Sequence, residues 1–130
     1  RGKERKRILM HEIHLKRVYE AAEPSDGVRV LVDRLWPRGI RKADLPYDVW
    51  AKEVTPSSEL RTLYHCGEMP FAGFREGYAE ELEASEGAAA FTERCREWLK
   101  TQNVTLLYAA KNQQENHALV LAAWLHQKIG

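Results

Sequence analysis

Cysteine is scarce in this chain. Cys66 and Cys95 are the only two, which make neither a disulfide framework nor a zinc pattern and read as reduced thiols. Long apolar runs are missing too: none approaches the ~20 residues of a membrane-spanning helix. There is no P-loop, no dinucleotide-binding glycine fingerprint, no repeat and no low-complexity tract. Charge of one sign is not in excess. Lys and Arg number 20 against 19 Asp and Glu, a formal net charge of +1, so no global field draws the chain to nucleic acid or to a membrane. The opening "RGKERKRILM" is basic, but no apolar stretch follows it, so it does not read as a signal peptide. These absences point to a cytoplasmic protein without membrane association.

What is present suits one core. The chain has 130 residues, 44% hydrophobic and 30% charged, the size and composition of a single soluble domain. A natural start near Met10 would make the preceding residues an N-terminal extension or a remnant of expression. The division expected is therefore 1–10 for that segment and 11–130 for one α/β domain. Charge is unevenly spread: "RGKERKR" is basic, and "EGYAEELEASE" is acidic and reads as a solvated helix face.

The element order follows from periodicity. "EIHLKRVY" (12–19) alternates as a strand, and "AAEPSDG" is turn chemistry. "VRVLVDRLW" (28–36) is a β-branched, nearly continuous apolar run, the mark of a strand buried on both faces. Pro37 and Gly39 stop it. Residues 40–54 read as a loop with a short helix around Tyr47–Lys52. Thr55 as N-cap and Pro56 at the first position suit a helix start. Phe71, Phe74, Tyr78 and Leu82 share one helix face, as do Phe91, Cys95, Trp98 and Leu99 in a second helix over 88–102. "VTLLYAAK" (104–111) is another buried strand and 115–129 a final helix. Strand 104–111 returns beside 28–36 through a helical crossover, in parallel. The fold expected is a small, mainly parallel sheet covered by helices on both faces.

In such a sheet, ligands sit beyond the carboxyl ends of the strands. One strand end delivers Asp33, Arg34, Trp36 and Arg38. The other delivers Lys111 and leads through "NQQENHA" to Asn116 and His117. Lys42 and Lys52 are possible contributors. This edge is cationic, rich in donors and beside a helix N-terminus, which favours an anion. A phosphate- or carboxylate-bearing small molecule fits it, a nucleotide being one option. Asp33 and His117 are the acid–base candidates, the histidine because imidazole titrates near neutral pH. Each residue also has a plain structural role open to it. Arg34 can pair with Asp33, Asp44 or Asp48. Trp36 can plug the core, Asn116 and His117 can cap the last helix, and Lys42 and Lys52 can be solvated. Weaker signals are His65 beside Cys66 as a nucleophile site, and His11, Glu12 and His14 as metal ligands. No metal site or cofactor is assigned, and the oligomeric state is left open.

The blocks "RVYEAAEPSDGVRVLVDRLWPRGIRK", "WAKEVTPSSELR", "GYAEEL" and "VTLLYAAKNQQENHALVL" resemble the YeaO-like branch of the domain of unknown function 488 family, from Leu15 to about Leu125. The resemblance implies a compact α/β fold and the pairing of the two strand-end blocks; it supplies no reaction. It adds Trp50, Pro56, Ser57, Leu60 and Arg61 as motif residues, of which Arg61 joins the ligand-binding set. The chain departs from the pattern at "YHCGEMPF", where a second histidine and an Asp-Pro are expected, and this weakens a metal site there. Three functions compete: an enzyme or binder acting on a small anion, a nucleic-acid binder, and a non-catalytic interaction module whose arginines are structural.

Overall fold

Strand β4 (Val104–Tyr108) is buried at every position, and a strand like that belongs in the middle of a sheet. The computed structural model describes residues 11–129. The expected extension, 1–10, lies outside the described residues. Among those, β1 (Ile13–Arg17), β2 (Val28–Leu31), β3 (Val49–Trp50) and β4 form one sheet in the order β1-β4-β2-β3. Every neighbouring pair is parallel. Val104 of β4 faces Ile13 on one side and Val28 on the other. The crossover from β3 to β4 carries α1 (Ser58–His65), α2 (Phe71–Ala84) and α3 (Glu86–Trp98); α4 (His117–Ile129) follows β4. Among the described residues, no helix is long and apolar enough to cross a membrane.

The period of two divides the core. Val28, Val30, Val32, Val104, Leu106 and Tyr108 cluster with buried residues of all four helices, including Tyr78, Phe91 and Leu121. Leu31 and Leu107 point the other way and meet Val18, Leu45, Trp36, Ile40 and Trp50. The sheet is parallel and α/β, as expected, but the helices pack on one face rather than both. The second face is covered by the β2–β3 connection. Pro37, Gly39 and Pro46 in that connection forbid a long helix, so it crosses the sheet as a loop carrying tryptophans.

Three local expectations are also corrected. β2 ends at Leu31 rather than residue 36. The helix expected at Tyr47–Lys52 is instead β3 and a 3-10 turn, Lys52–Val54, because Val49 and Trp50 pair with Val30 and Leu31 and both suit a pleated edge. The N-cap of α1 is Ser57, not Thr55; its hydroxyl accepts the Leu60 N–H at 3.1 Å. Ser85 ends α2 and caps α3 in one residue.

Inside the apolar run, Arg29 is buried, 6% exposed. Its guanidinium bonds the equally buried Asp26 and donates through Nε to the Pro46 carbonyl at 2.6 Å. Lys16 Nζ donates to the other Asp26 oxygen at 2.8 Å. This ionic knot ties Lys16, near the end of β1, to the turn before β2 and to the segment before β3. The carboxyl ends of β2 and β4 take no part in it.

Candidate functional site

The carboxyl ends of β2 and β4 open into one cavity of about 520 Å³, within the usual size of a small-molecule site, ~300–1,000 Å³. Asp33, Arg34, Trp36, Arg38, Arg61, Lys111, Asn116 and His117 all line it. Two loops and one helix face therefore converge as the strand-end rule requires. Lys42 and Lys52 do not line it. They lie over the tryptophans on the loop-covered face: Lys52 Nζ is 4.1 Å from the Trp50 ring centre, and Lys42 Nζ is 5.8 Å from Trp36 and 5.9 Å from Trp50. The reason is that Trp50 sits on the edge strand β3 and turns its ring to the second core cluster, taking the lysines with it.

Asp33 is the pivot. One carboxylate oxygen accepts the Ala109 N–H at 3.0 Å, tying β2's exit to β4's exit. The other lies 3.0 Å from His117 Nε2, yet finds no aligned donor among the described residues. The ring N–H is aimed instead at the Val32 carbonyl, also 3.0 Å away. Two acceptors around Nε2 require that nitrogen to carry a hydrogen, which leaves Nδ1 as the acceptor in the neutral ring. Trp50 Nε1 donates to the Asp33 carbonyl at 2.7 Å. Asp33 and His117 thus lock the strand end to the start of α4.

The segment 112–116 is fastened by itself. Asn112 Oδ1 accepts the Gln114 and Glu115 N–H groups at 2.9 and 3.0 Å. Asn116 is 3% exposed. Its amide donates to the Asn112 carbonyl at 2.8 Å, and its Oδ1 caps α4 at the Leu119 N–H, 2.9 Å. Asn116 is a cap, and its contribution to the cavity is to hold the helix N-terminus there. Trp36 donates to the Ile40 carbonyl at 2.6 Å and meets Trp50 and Tyr47 edge-on, with ring centres 5.5 and 5.6 Å apart. It plugs the second core while presenting part of its surface to the cavity.

The cations are different. Arg34, Arg38 and Lys111 are exposed, and none makes an ion pair among the described residues. The carboxylates offered as internal mates are engaged elsewhere. Asp44 pairs with Arg41 at 2.9 Å, Asp48 accepts the Arg29 N–H at 2.8 Å, and Asp33 faces His117. Arg61 is only partly exposed, and its Nε–H is buried without an acceptor among the described residues. Four cations therefore face two carboxylates, Asp33 and Glu115, around the cavity.

Tyr64, His65 and Phe74 also line the cavity; the sequence offered His65 only beside Cys66 and Phe74 only as a helix-face residue, and Tyr64 not at all. A signal existed: Arg61, Tyr64 and His65 stand at i, i+3 and i+4, one face of α1. Burial, and then the Glu115 carboxylate, push the Tyr64 phenol above its ordinary 10.0. Cys66 is exposed and its Sγ donates to the Leu63 carbonyl at 3.5 Å. Cys95 is core, its thiol pushed up to about 12 by burial. His14 meets Glu12 at 3.2 Å, while His11 turns to the Leu99 carbonyl at 3.1 Å. Among the described residues, no group of three or more such side chains is placed to hold a metal ion.

With this geometry in view, comparison with known proteins places the chain. Residues 12–130 match the family model described as the inactive DUF488-N3 subclade. The chain belongs to that family. It is 55% identical over 113 residues to the uncharacterised protein YeaO of Escherichia coli strain K12, covering 87% of this chain and 96% of YeaO. It is 42% identical over 114 residues to an uncharacterised protein of Mycobacterium tuberculosis strain H37Rv, covering 88% of this chain and 93% of that one. The YeaO-like resemblance expected from the motif blocks is thus established over nearly the whole chain. No solved structure matches it.

Proposed function

We propose that this protein is a non-catalytic binder of a small anionic molecule, carrying phosphate or carboxylate, in the cavity at the carboxyl ends of β2 and β4. The observation that carries this reading is a set of cations that make no ion pair among the described residues. Arg34, Arg38, Arg61 and Lys111 converge on one cavity, Asp44 and Asp48 are engaged by other groups, and Asp33 and Glu115 leave the cations in excess there. Exposed cations brought together repel one another, and an anion removes that repulsion. Arginine forks match its oxygens, and the N-terminal end of α4 adds a favourable dipole. The two acid–base candidates support binding rather than chemistry. Asp33 and His117 face each other, and the His117 N–H is spent on the Val32 carbonyl. The word "inactive" in the family's description agrees with this.

A ligand that binds only the folded state raises its melting temperature. A panel of inorganic phosphate, pyrophosphate, citrate and phosphorylated metabolites should contain compounds that raise it by several degrees. The rise should shrink in Arg38→Ala. No rise across the panel, together with unchanged behaviour of Arg38→Ala, argues against the proposal.

A further inference from the structure

The cavity is not uniformly polar. Its rim carries Arg34, Arg38 and Lys111, but its inner wall is Tyr64, Phe74, Ala109 and Ala110. Tyr64 and Phe74 are stacked, ring centres 4.7 Å apart and planes 25° from parallel. Phe74 is 2% exposed and Tyr64 partly exposed; Phe71 and His65 also meet the Tyr64 ring, at 5.9 and 5.6 Å, so Tyr64 is a partly exposed member of an aromatic cluster rooted in the core. Arg61 lies three residues before Tyr64 on α1, which sets their Cβ atoms ~5–6 Å apart on one helix face. A buried N–H with no acceptor is uncommon in a native protein and calls for a missing partner; the Nε–H of Arg61 is one.

We infer that the ligand is an aromatic anion: Arg61 binds its phosphate or carboxylate, and Tyr64 receives its planar ring. Aromatic rings prefer offset stacks at the spacing already seen between Tyr64 and Phe74, and the small side chains of Ala109 and Ala110 leave room beside them. The exposed cations at the rim attract any anion. The Arg61–Tyr64 pair selects one whose charge and ring are about one helical turn apart. This inference rests on the anion-binding reading above and adds the ring to it.

The test compares matched probes by isothermal titration: phenyl phosphate against glycerol 3-phosphate, and benzoate against lactate, with benzyl alcohol as the neutral ring. The aryl anion should bind about tenfold tighter than its aliphatic mate in at least one pair. Tyr64→Leu should remove that preference while keeping aliphatic binding, Tyr64→Phe should retain it, and Arg61→Gln should weaken both members of the pair. Equal affinities within both pairs overturn the aromatic assignment and leave anion binding standing. A preference that survives in folded Tyr64→Leu also overturns it. Failure of every anion to bind, or equal binding of benzyl alcohol, overturns both readings. Should Tyr64→Leu not fold, the wild-type pairs and Tyr64→Phe still decide.

Discussion

Gly27→Ala is expected to leave no stable fold, lowering the unfolding free energy by roughly 4 kcal/mol or more, the extreme end of single substitutions. Gly27 has φ 65° and ψ −130°, a conformation that side chains strongly resist. A Cβ there would stand 1.9 Å from the Asn103 carbonyl oxygen, with that residue's carbonyl carbon and nitrogen at 2.7 and 2.9 Å. These are backbone atoms and have nowhere to go. The same Asn103 oxygen accepts the Val28 N–H at 2.9 Å at the start of β2. The Asn103 side chain bonds Glu12 at 2.8 Å and Ser25 at 2.9 Å. Moving it would unpick the amino ends of three strands. Gly39→Ala is the control. Its φ is 79°, but nothing lies within 4 Å of the added Cβ, so it should lose only the ~1 kcal/mol of left-handed backbone. Urea unfolding of both variants reads the contrast; equal losses would contradict the close-approach account.

Asp26→Ala is expected to lower stability by about 3–5 kcal/mol, because it strands the buried Arg29 charge. Asp26 holds Arg29 and Lys16 at once and accepts the Glu23 N–H at 3.1 Å. Burial alone would raise its carboxyl, but these bonds outweigh burial and hold it below its ordinary 3.8. Its contribution is therefore complete above that value and is lost as pH falls through the lower folded-state value. Lys16 behaves in the opposite sense. The bonds to Asp26 and then Glu23 raise it above 10.5, so its share is complete below 10.5 and fades as pH rises past it. Wild-type urea midpoints should drop steeply below about pH 4, while those of Asp26→Ala start lower and fall less. Parallel curves would remove Asp26 from its role.

These two residues also show where sequence reading stops. "AAEPSDG" is visibly a turn, but nothing local says that its glycine must touch Asn103, 76 positions on. Arg29 hides inside a run of valines, and its partners come from two other segments, so burial of a charge there is invisible to periodicity. The strand-end site was more legible. Fold class, parallel pairing of β2 with β4, and convergence of "DRLWPR" with "KNQQENHA" all follow from run length, β-branching and chain order. The inner wall was not legible, because α1 reaches the strand ends through a crossover whose docking only tertiary packing decides. Lys42 and Lys52 misled for a related reason. They are near the motif in sequence, but the β2–β3 loop places Lys42, and the edge strand β3 places Lys52, over the tryptophans of the other face.

The central claim is that Arg34 and Arg38 wait for an external anion, not for a carboxylate of this protein. The double variant Arg34→Gln/Arg38→Gln, measured for both urea stability and pyrophosphate affinity, addresses it most directly. Stability should stay within about 0.5 kcal/mol of wild type, as for surface changes that break no ion pair, while affinity should fall at least about tenfold. A loss of several kcal/mol with unchanged pyrophosphate affinity would contradict the account and make the arginines structural.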